Sequence, residues 1–508
     1  DAKLTITTPL ATALGNPAQP MHLAGTAAGT SATSALDVTL NVIHYPGELD
    51  PGFAAGGVSI AAQNGIAIAH AGGPIGEGAF VGGFLRTEMA LNAVPLAFCV
   101  DNNGVRSSDP NKCPLGSAPG IGLQSEINGV TSLPNGYAVA GDFTDGGNAS
   151  GLAAGFTDDA GTHFGRVPTA GILRARGRIA IPGPNNTFLV AGEADGKLLI
   201  SRFSLGATVK SALVPALDTT FGDAGTGHVI AANVLAMVVT AGTLDNAGRL
   251  VLIVMSTAAG FPRSLVRLSP TTGLIDTAFN PQLDPNLEPR AIAVSPQGDI
   301  FLSGIVKATE KLYVAKLDTN GAPQTLDSTA GVKADDTTGD ILTGGNAIAL
   351  DAQGRILVSA TTNRNPGFHP RLRVVRLLPT GVPDPSFGET MNGIAAIALP
   401  ALISGTFLAT CIDNASCPGN GNCTDAGCST NCTTDTQCTA PGSQCGNNVC
   451  MGVQTEDRSL FVQPDGRIVL VGYASSVFAS DFQIAFGPNP LVVNQPRGTA
   501  AIVGRFLP

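Results

Sequence analysis

An apolar run of about five residues, often closed by glycine, returns along this chain every 50 to 60 residues or so. The copies are 21–25 (MHLAG), 79–83 (AFVGG), 137–141 (YAVAG), 188–192 (FLVAG), 250–254 (LVLIV), 300–304 (IFLSG), 356–360 (ILVSA) and 468–472 (IVLVG). The last interval is longer because it carries a cluster of cysteines. A repeat of this length is the mark of a propeller or a solenoid, in which each copy is one supersecondary unit that buries its apolar face against the next.

The flanks of each run are regular. Ahead of it stand Pro134-Asn135-Gly136, Pro296-Gln297-Gly298, Ala352-Gln353-Gly354 and Pro464-Asp465-Gly466. Proline presets the first turn position and glycine accepts positive φ, so these are hairpin turns. The alternating runs before them, 291–294, 347–350 and 460–462, are the partner strands. Behind five of the runs comes a third strand with a basic residue: Arg202, Arg267, Lys316, Arg376 or Arg505. A polar turn then leads into an Asp-x-x-Phe signature, at Asp50/Phe53, Asp218/Phe221, Asp276/Phe279 and Asp384/Phe387. A fourth short run follows, as at 57–61 and 228–231. Four short antiparallel strands per copy make a propeller blade.

Residues 464–472 (PDGRIVLVG) and 217–222 (LDTTFG) resemble the delta-60 repeat family, whose pattern is a P-D-G turn, K-I-L-V-A-G, an apolar strand with arginine, then L-D-x-x-F-G. The resemblance covers most of the chain outside the cysteine cluster. It implies a propeller and is nearly silent on activity. The first three copies depart from the pattern, lacking the third-strand basic residue or the full turn. The expectation is an all-β protein, one β-propeller domain over residues 1–508 with eight four-stranded blades; seven is the alternative if the degenerate first copy is not a full blade. The last copy stops at Pro508 after its third strand, and the alternating residues 3–8 (KLTITT) are expected to supply its fourth. An N-terminal strand that closes the last blade satisfies edges that would otherwise be unpaired.

Composition agrees. The chain of 508 residues has 64 Gly and 35 Pro, which suit tight turns between strands, and its 44% hydrophobic content is enough for a core. The net charge of −10 without a basic stripe excludes a nucleic-acid partner. No apolar run reaches the ~20 residues of a membrane span. A first residue Asp1 in place of Met fits a mature protein whose signal peptide has been removed.

Residues placed once per repeat serve the repeat first. The Asp of Asp-x-x-Phe is expected to accept backbone N–H bonds in its turn, the Phe to wedge between blades, and the third-strand basic residue to pair with that Asp. The competing readings are a ladder of metal-binding carboxylates and a ring of positive charge around a channel. The six histidines show no metal-ligand spacing, and there is no haem-attachment, nucleophile-elbow or phosphate-loop motif. No cofactor and no metal is expected. Asp101 to Asp109 and 157–161 match a calcium loop only weakly. The absence of tryptophan argues against a quinone-dependent propeller dehydrogenase.

Eight of the ten cysteines form two tandem four-cysteine modules: Cys411, Cys417, Cys423 and Cys428, then Cys432, Cys438, Cys445 and Cys450. The segment has almost no large apolar side chains, so it needs staples in place of a core. Residues 409–452 therefore read as a disulfide-rich insertion within the propeller, with Cys99 and Cys113 as a fifth bridge; pairing inside each module stays open. Such cysteine usage points to a secreted, periplasmic or cell-surface protein.

Two functional classes follow. One is a binding or scaffold propeller that contacts protein or glycan partners through a rim and the insertion. The other is an extracytoplasmic hydrolase or lyase with a site in the central channel. Catalysis needs residues that break the repeat and converge. His44, His70 and Asp142, in the divergent early copies, are the residues to watch for it. A channel lined by aliphatic groups alone would count against an enzyme.

Overall fold

A computed structural model of the protein describes residues 19–26, 33–40, 45–54, 57–62, 66–86, 93–107, 121–134, 136–145, 150–158, 161–169, 172–205, 215–222, 225–236, 238–256, 263–281, 283–326, 341–363, 372–388, 391–397, 422–424, 427–429, 444–446, 449–451, 454–475 and 499–508. Among them the strands form seven blades. The innermost strands of blades 1 to 7 are Ile66–Ile75, Gln124–Leu133, Ala175–Pro182, Val238–Leu244, Leu287–Val294, Ile341–Leu350 and Gln454–Val462. Each pairs antiparallel with the apolar run that marks its repeat, now the second strand, for example Thr187–Ala194 in blade 3 and Ile468–Ser475 in blade 7. A third strand lies outside it, such as Lys197–Ser204 or Leu372–Leu377. Each innermost strand touches that of the next blade, and blade 7 touches blade 1, so the ring is closed.

The core lies between blades. Leu357, Leu372 and Val374 of blade 6 pack with Leu470, Ile502 and Phe506 of blade 7, and equivalent clusters fill the other joints. Both faces of each inner sheet are thereby covered, which explains why the second strands read as continuous apolar runs rather than alternating ones. Thr187–Ala194, for instance, is buried at every position.

Two sequence expectations are corrected. The count is seven blades, the stated alternative, and not eight. The copy at 21–25 lies in a hairpin, Gln19–Thr26 with Thr33–Leu40, whose strands pair with each other and with no blade among the described residues. The rest of that copy belongs to blade 7. Val58–Ala62 pairs with Thr499–Phe506, from Val58 opposite Gly504 to Ala62 opposite Ala500. The fourth strand of blade 7 is therefore 58–62 and not 3–8, which lie outside the described residues. Register dictates the choice: the Asp-x-x-Phe turn just ahead of 58–62 docks on the third strand of blade 7, with Asp50 N donating to the carbonyl of Arg505 at 2.8 Å. An N-terminal strand does close the ring, but from further along the chain.

Between Ile394–Ala396, the fourth strand of blade 6, and Gln454–Val462 the chain carries two small hairpins. Asn422–Thr424 pairs with Gly427–Ser429, and Gln444–Gly446 with Val449–Met451. Cys423 stands opposite Cys428, and Cys445 opposite Cys450. The two modules thus share a hairpin register as well as a spacing. Cys411, Cys417, Cys432, Cys438 and Cys113 lie outside the described residues. No helix among the described residues is long and apolar enough to cross a membrane.

Candidate functional site: a charged wall of blades 1 to 3

The ladder of each innermost strand is interrupted at one place. A bulge sets His70, Asn128, Arg178, Thr240, Arg290 and Arg458 out of the ladder on their innermost strands, and a longer irregularity in blade 6 holds Asn346. An extra residue leaves the in-out alternation of the strand, so a polar side chain is released from the apolar joints beside it. The glycine that closes the second strand is the other half of this device. A Cβ on Gly83, Gly141, Gly192, Gly304 or Gly472 would run into the carbonyl oxygen of Ile68, Glu126, Arg176, Glu288 or Glu456, each two residues ahead of a bulge. The residue by which the repeat is recognised is there because the bulged backbone needs the space.

In blades 1 to 3 these bulges bring charge together. Glu126 and Asp142 are cross-strand neighbours in blade 2. His70 of blade 1 places Nε2 3.6 Å from Glu126 Oε2. From the other side, Arg176 Nε lies 3.6 Å from Asp142 Oδ2. Arg178 Nε donates to Glu193 Oε2 at 3.1 Å, and Glu193 Oε1 also accepts the Val239 backbone N–H at 2.6 Å. Gly177, between the two arginines, makes this meeting possible: a Cβ there would press on the backbone of Gly141, the neighbour of Asp142.

The two carboxyls of blade 2 are driven apart. Burial pushes Asp142 up, the charge of Glu126 adds to it, and the two arginines only partly offset this, leaving it at about 7. Burial opposes the charge of Glu126 too, but the His70 imidazole and the guanidinium groups of Arg178 and Arg176 hold it down at about 2. Asp142 is 6% exposed, and no group among the described residues hydrogen-bonds to its Oδ2. Arg176, by contrast, has a half-exposed side chain. The wall therefore holds a buried carboxyl, one oxygen of which lacks a hydrogen bond among the described residues, beside an accessible guanidinium.

The carboxylates at the equivalent positions in blades 5 and 7 are paired locally, although Arg458 Nε is, like Asp142 Oδ2, buried without a hydrogen bond among the described residues. Glu288 is bound by Arg263 and by Arg290, each at 3.1 Å. Glu456 pairs with Arg458 at 2.8 Å and accepts the Tyr473 hydroxyl. Asp457, fully buried and raised by that burial, accepts from Ser359 and from Asn346 Nδ2, the latter at 3.2 Å.

The once-per-repeat residues hold the blades together. Arg202, Arg267, Arg376 and Arg505 each donate to the carboxylate of Asp218, Asp276, Asp384 or Asp50 at 2.8 to 2.9 Å. Their guanidinium carbons sit 4.2 to 4.8 Å over the rings of Phe221, Phe279, Phe387 and Phe53. These phenylalanines lie in the cores shared with the next blade. Lys316 departs from the pattern and pairs with Asp299 at 2.8 Å. Neither a metal ladder nor a ring of free charge describes them.

Of the residues to watch, His70 and Asp142 are brought onto one wall, joined through Glu126; His44 lies outside the described residues. His228 is held by Ser201 and the Pro168 carbonyl. Asp101 Oδ1 accepts the backbone N–H groups of Asn103 and Val105 at 2.9 Å, which is a turn. Among the described residues no group of three or more His, Cys, Asp or Glu is placed to hold a metal ion. Glu126, Arg176, Arg178 and Glu193 were missed by sequence reasoning. The signal for them is the glycine ending the second strand, whose position marks a bulge on the strand before it.

The family described as "Domain of unknown function (DUF5122) beta-propeller" matches residues 354–387, within blade 6. The chain is a β-propeller. No curated protein matches it. Among solved structures it is similar to a protein from Lactobacillus plantarum, with 12% identity, a TM-score of 0.41, and 82% of this chain and 97% of that one covered. It is also similar to PorZ, a bacterial surface component of the type-IX secretion system of Porphyromonas gingivalis, with 10% identity, a TM-score of 0.35, and 83% and 52% covered. A third is the polysaccharide lyase Uly1, with 11% identity, a TM-score of 0.33, and 74% and 89% covered. These likenesses concern architecture alone.

Proposed function

We propose that this protein is a secreted, periplasmic or cell-surface binding propeller that recognises a glycan or protein partner, with the charged wall of blades 1 to 3 as its recognition centre. The observation that carries the reading is the convergence of His70, Glu126, Asp142 and Arg176 from three blades, with Asp142 Oδ2 buried and lacking a hydrogen bond among the described residues. A buried polar atom left open is costly unless something fills it, and here an accessible arginine stands beside it. In this reading the insertion at 409–452, stapled by disulfides among Cys411, Cys417, Cys423, Cys428, Cys432, Cys438, Cys445 and Cys450, is a rigid second contact at a rim, and Cys99 bonds to Cys113. The pairwise register of Cys423 with Cys428 and of Cys445 with Cys450 supports it, as does the absence of a free cysteine among the described residues.

A second reading has one specific observation in its favour. Two neighbouring carboxyls held at about 2 and about 7 resemble the division between a charged carboxylate and a proton donor in acid–base catalysis. That would make the wall the site of an extracytoplasmic hydrolase or lyase.

One experiment separates them. The purified protein is applied to a glycan array and each captured glycan is then examined for cleavage. Stoichiometric capture of intact glycan, lost in R176Q and E126Q variants, is the outcome expected of a binding propeller. Cleavage abolished by D142N would replace it with the enzyme reading. Capture unchanged in all three variants would remove the wall from the account.

A further inference from the structure

The wall offers more than an unspecified polar surface. Arg176 presents a half-exposed guanidinium whose Nε lies 3.6 Å from Asp142 Oδ2. A guanidinium fork matches a carboxylate in shape and charge. Beside it Asp142 Oδ2 is buried without a hydrogen bond. Across the strand pair, Glu126 and His70 are each about one-fifth exposed, while the His70 Nε2 that faces Glu126 is buried. Glu126 repels a bare anion but accepts hydrogen bonds from hydroxyls. The combination of anion donor and hydroxyl acceptor selects a molecule that has both groups close together.

We propose that the wall binds the uronic-acid unit of a glycan, with the sugar carboxylate on the half-exposed Arg176 guanidinium, its hydroxyls toward Glu126, and one proton taken up by the buried Asp142 carboxyl behind Arg176 on binding. This rests on the reading of the wall as a recognition centre. The proton balance follows from the atoms present. A second anion on Arg176 takes up the positive charge that Asp142 shares and adds a like charge beside it, so the Asp142 carboxyl is driven to its protonated form. No bond in the sugar is made or broken.

The groups facing Asp142 come from every neighbouring strand. Glu126 lies beside it on the innermost strand of blade 2, Arg176 and Arg178 come from the innermost strand of blade 3, Glu193 from its second strand, and His70 acts through Glu126 from blade 1. The carboxyl already sits at about 7 without ligand, so at mildly acid pH the proton is in place and at pH 8 it must be taken from solvent.

The test is titration calorimetry of the full chain with sodium glucuronate at pH 6 and pH 8, in two buffers of different ionisation enthalpy, with glucose and acetate as controls. Expected are binding of glucuronate over both controls, uptake approaching one proton per ligand at pH 8, and affinity falling up to about tenfold per pH unit above neutrality. D142N, which keeps the shape but cannot titrate, retains binding with no proton uptake, and R176Q loses binding. Should D142N fail to fold, the buffer dependence of the wild-type protein decides alone. Glucose binding as well as glucuronate, no binding of glucuronate, or binding without proton uptake at pH 8 would each overturn the proposal. Neutral glycans lost in R176Q would overturn it while leaving the wall a recognition centre; binding indifferent to both variants would remove that reading as well.

Discussion

Single atoms decide the geometry of the wall. Gly192 has no Cβ because the Arg176 carbonyl occupies its place. Gly192→Ala is expected to lower stability by roughly 1–3 kcal/mol, the usual range for forcing an extra methyl into a packed site; urea denaturation measures it, and an unchanged midpoint would mean the bulge is not fixed by this contact. The cost of Asp142 has a definite sign. Its carboxyl is raised from 3.8 to about 7, so between those values the folded protein binds a proton the unfolded chain has released, and stability declines as pH rises through that window. The full displacement corresponds to something on the order of 4 kcal/mol. Asp142→Asn removes the titrating group, so thermal scans should find the variant more stable than wild type at pH 8, with the gap narrowing toward pH 4. A gap that does not change with pH would mean Asp142 is not raised. Neither carboxyl was fully legible in the sequence. Asp142 stood out for breaking the repeat, but Glu126 did not, because its meaning depends on a strand from each neighbouring blade.

At the level of elements, the repeat is read most clearly where one residue type meets one local demand. The Pro-Asp-Gly turns, the basic third strand and Asp-x-x-Phe are legible because each solves the same problem in every blade. Asp384 illustrates it: burial alone would raise its carboxyl, but the Ser386 hydroxyl and N–H together with the Arg376 guanidinium hold it below the ordinary carboxylate value. Its stabilising share is complete above the unfolded value of 3.8 and is lost as pH falls through the lower folded one. Acid unfolding of Asp384→Asn should therefore be less steep below about pH 4 than that of the wild type, and equal steepness would contradict this assignment. The ring closure was harder to read. Residues 3–8 and 58–62 both have alternating strand character, and nothing local separates them. What separates them is the Asp50–Arg505 pair, a contact across 455 positions of sequence. Removing one partner of such a buried pair costs about 3–5 kcal/mol. Asp50→Ala should accordingly loosen blade 7 first. Hydrogen exchange would show early loss of protection in 58–62 and 499–506, and uniform loss around the ring would contradict local closure.

For the whole molecule, stability is a sum over joints between neighbouring blades, and function is sought where the blades differ. The insertion falls between blade 6 and blade 7 and adds no strand to either among the described residues. Deleting 409–452 should leave the melting temperature within about 2 °C of wild type while weakening partner capture; a collapse in melting temperature would make the insertion a structural part of the ring. The seven-blade count was open in the sequence because a degenerate copy and a true blade look alike until strand pairing is known. The composition of the wall was hidden for the same reason: three blades contribute to it, and no single copy contains it. Its central property is an Asp142 carboxyl pushed up to about 7 beside a Glu126 held down at about 2. Carbon-13 NMR of the side-chain carboxyls, followed from pH 3 to pH 9 and assigned with Asp142→Asn, measures this directly. An Asp142 midpoint near 7 is expected, with Glu126 already ionised at the acid end; an Asp142 midpoint near 3.8 would mean that burial and Glu126 do not raise it.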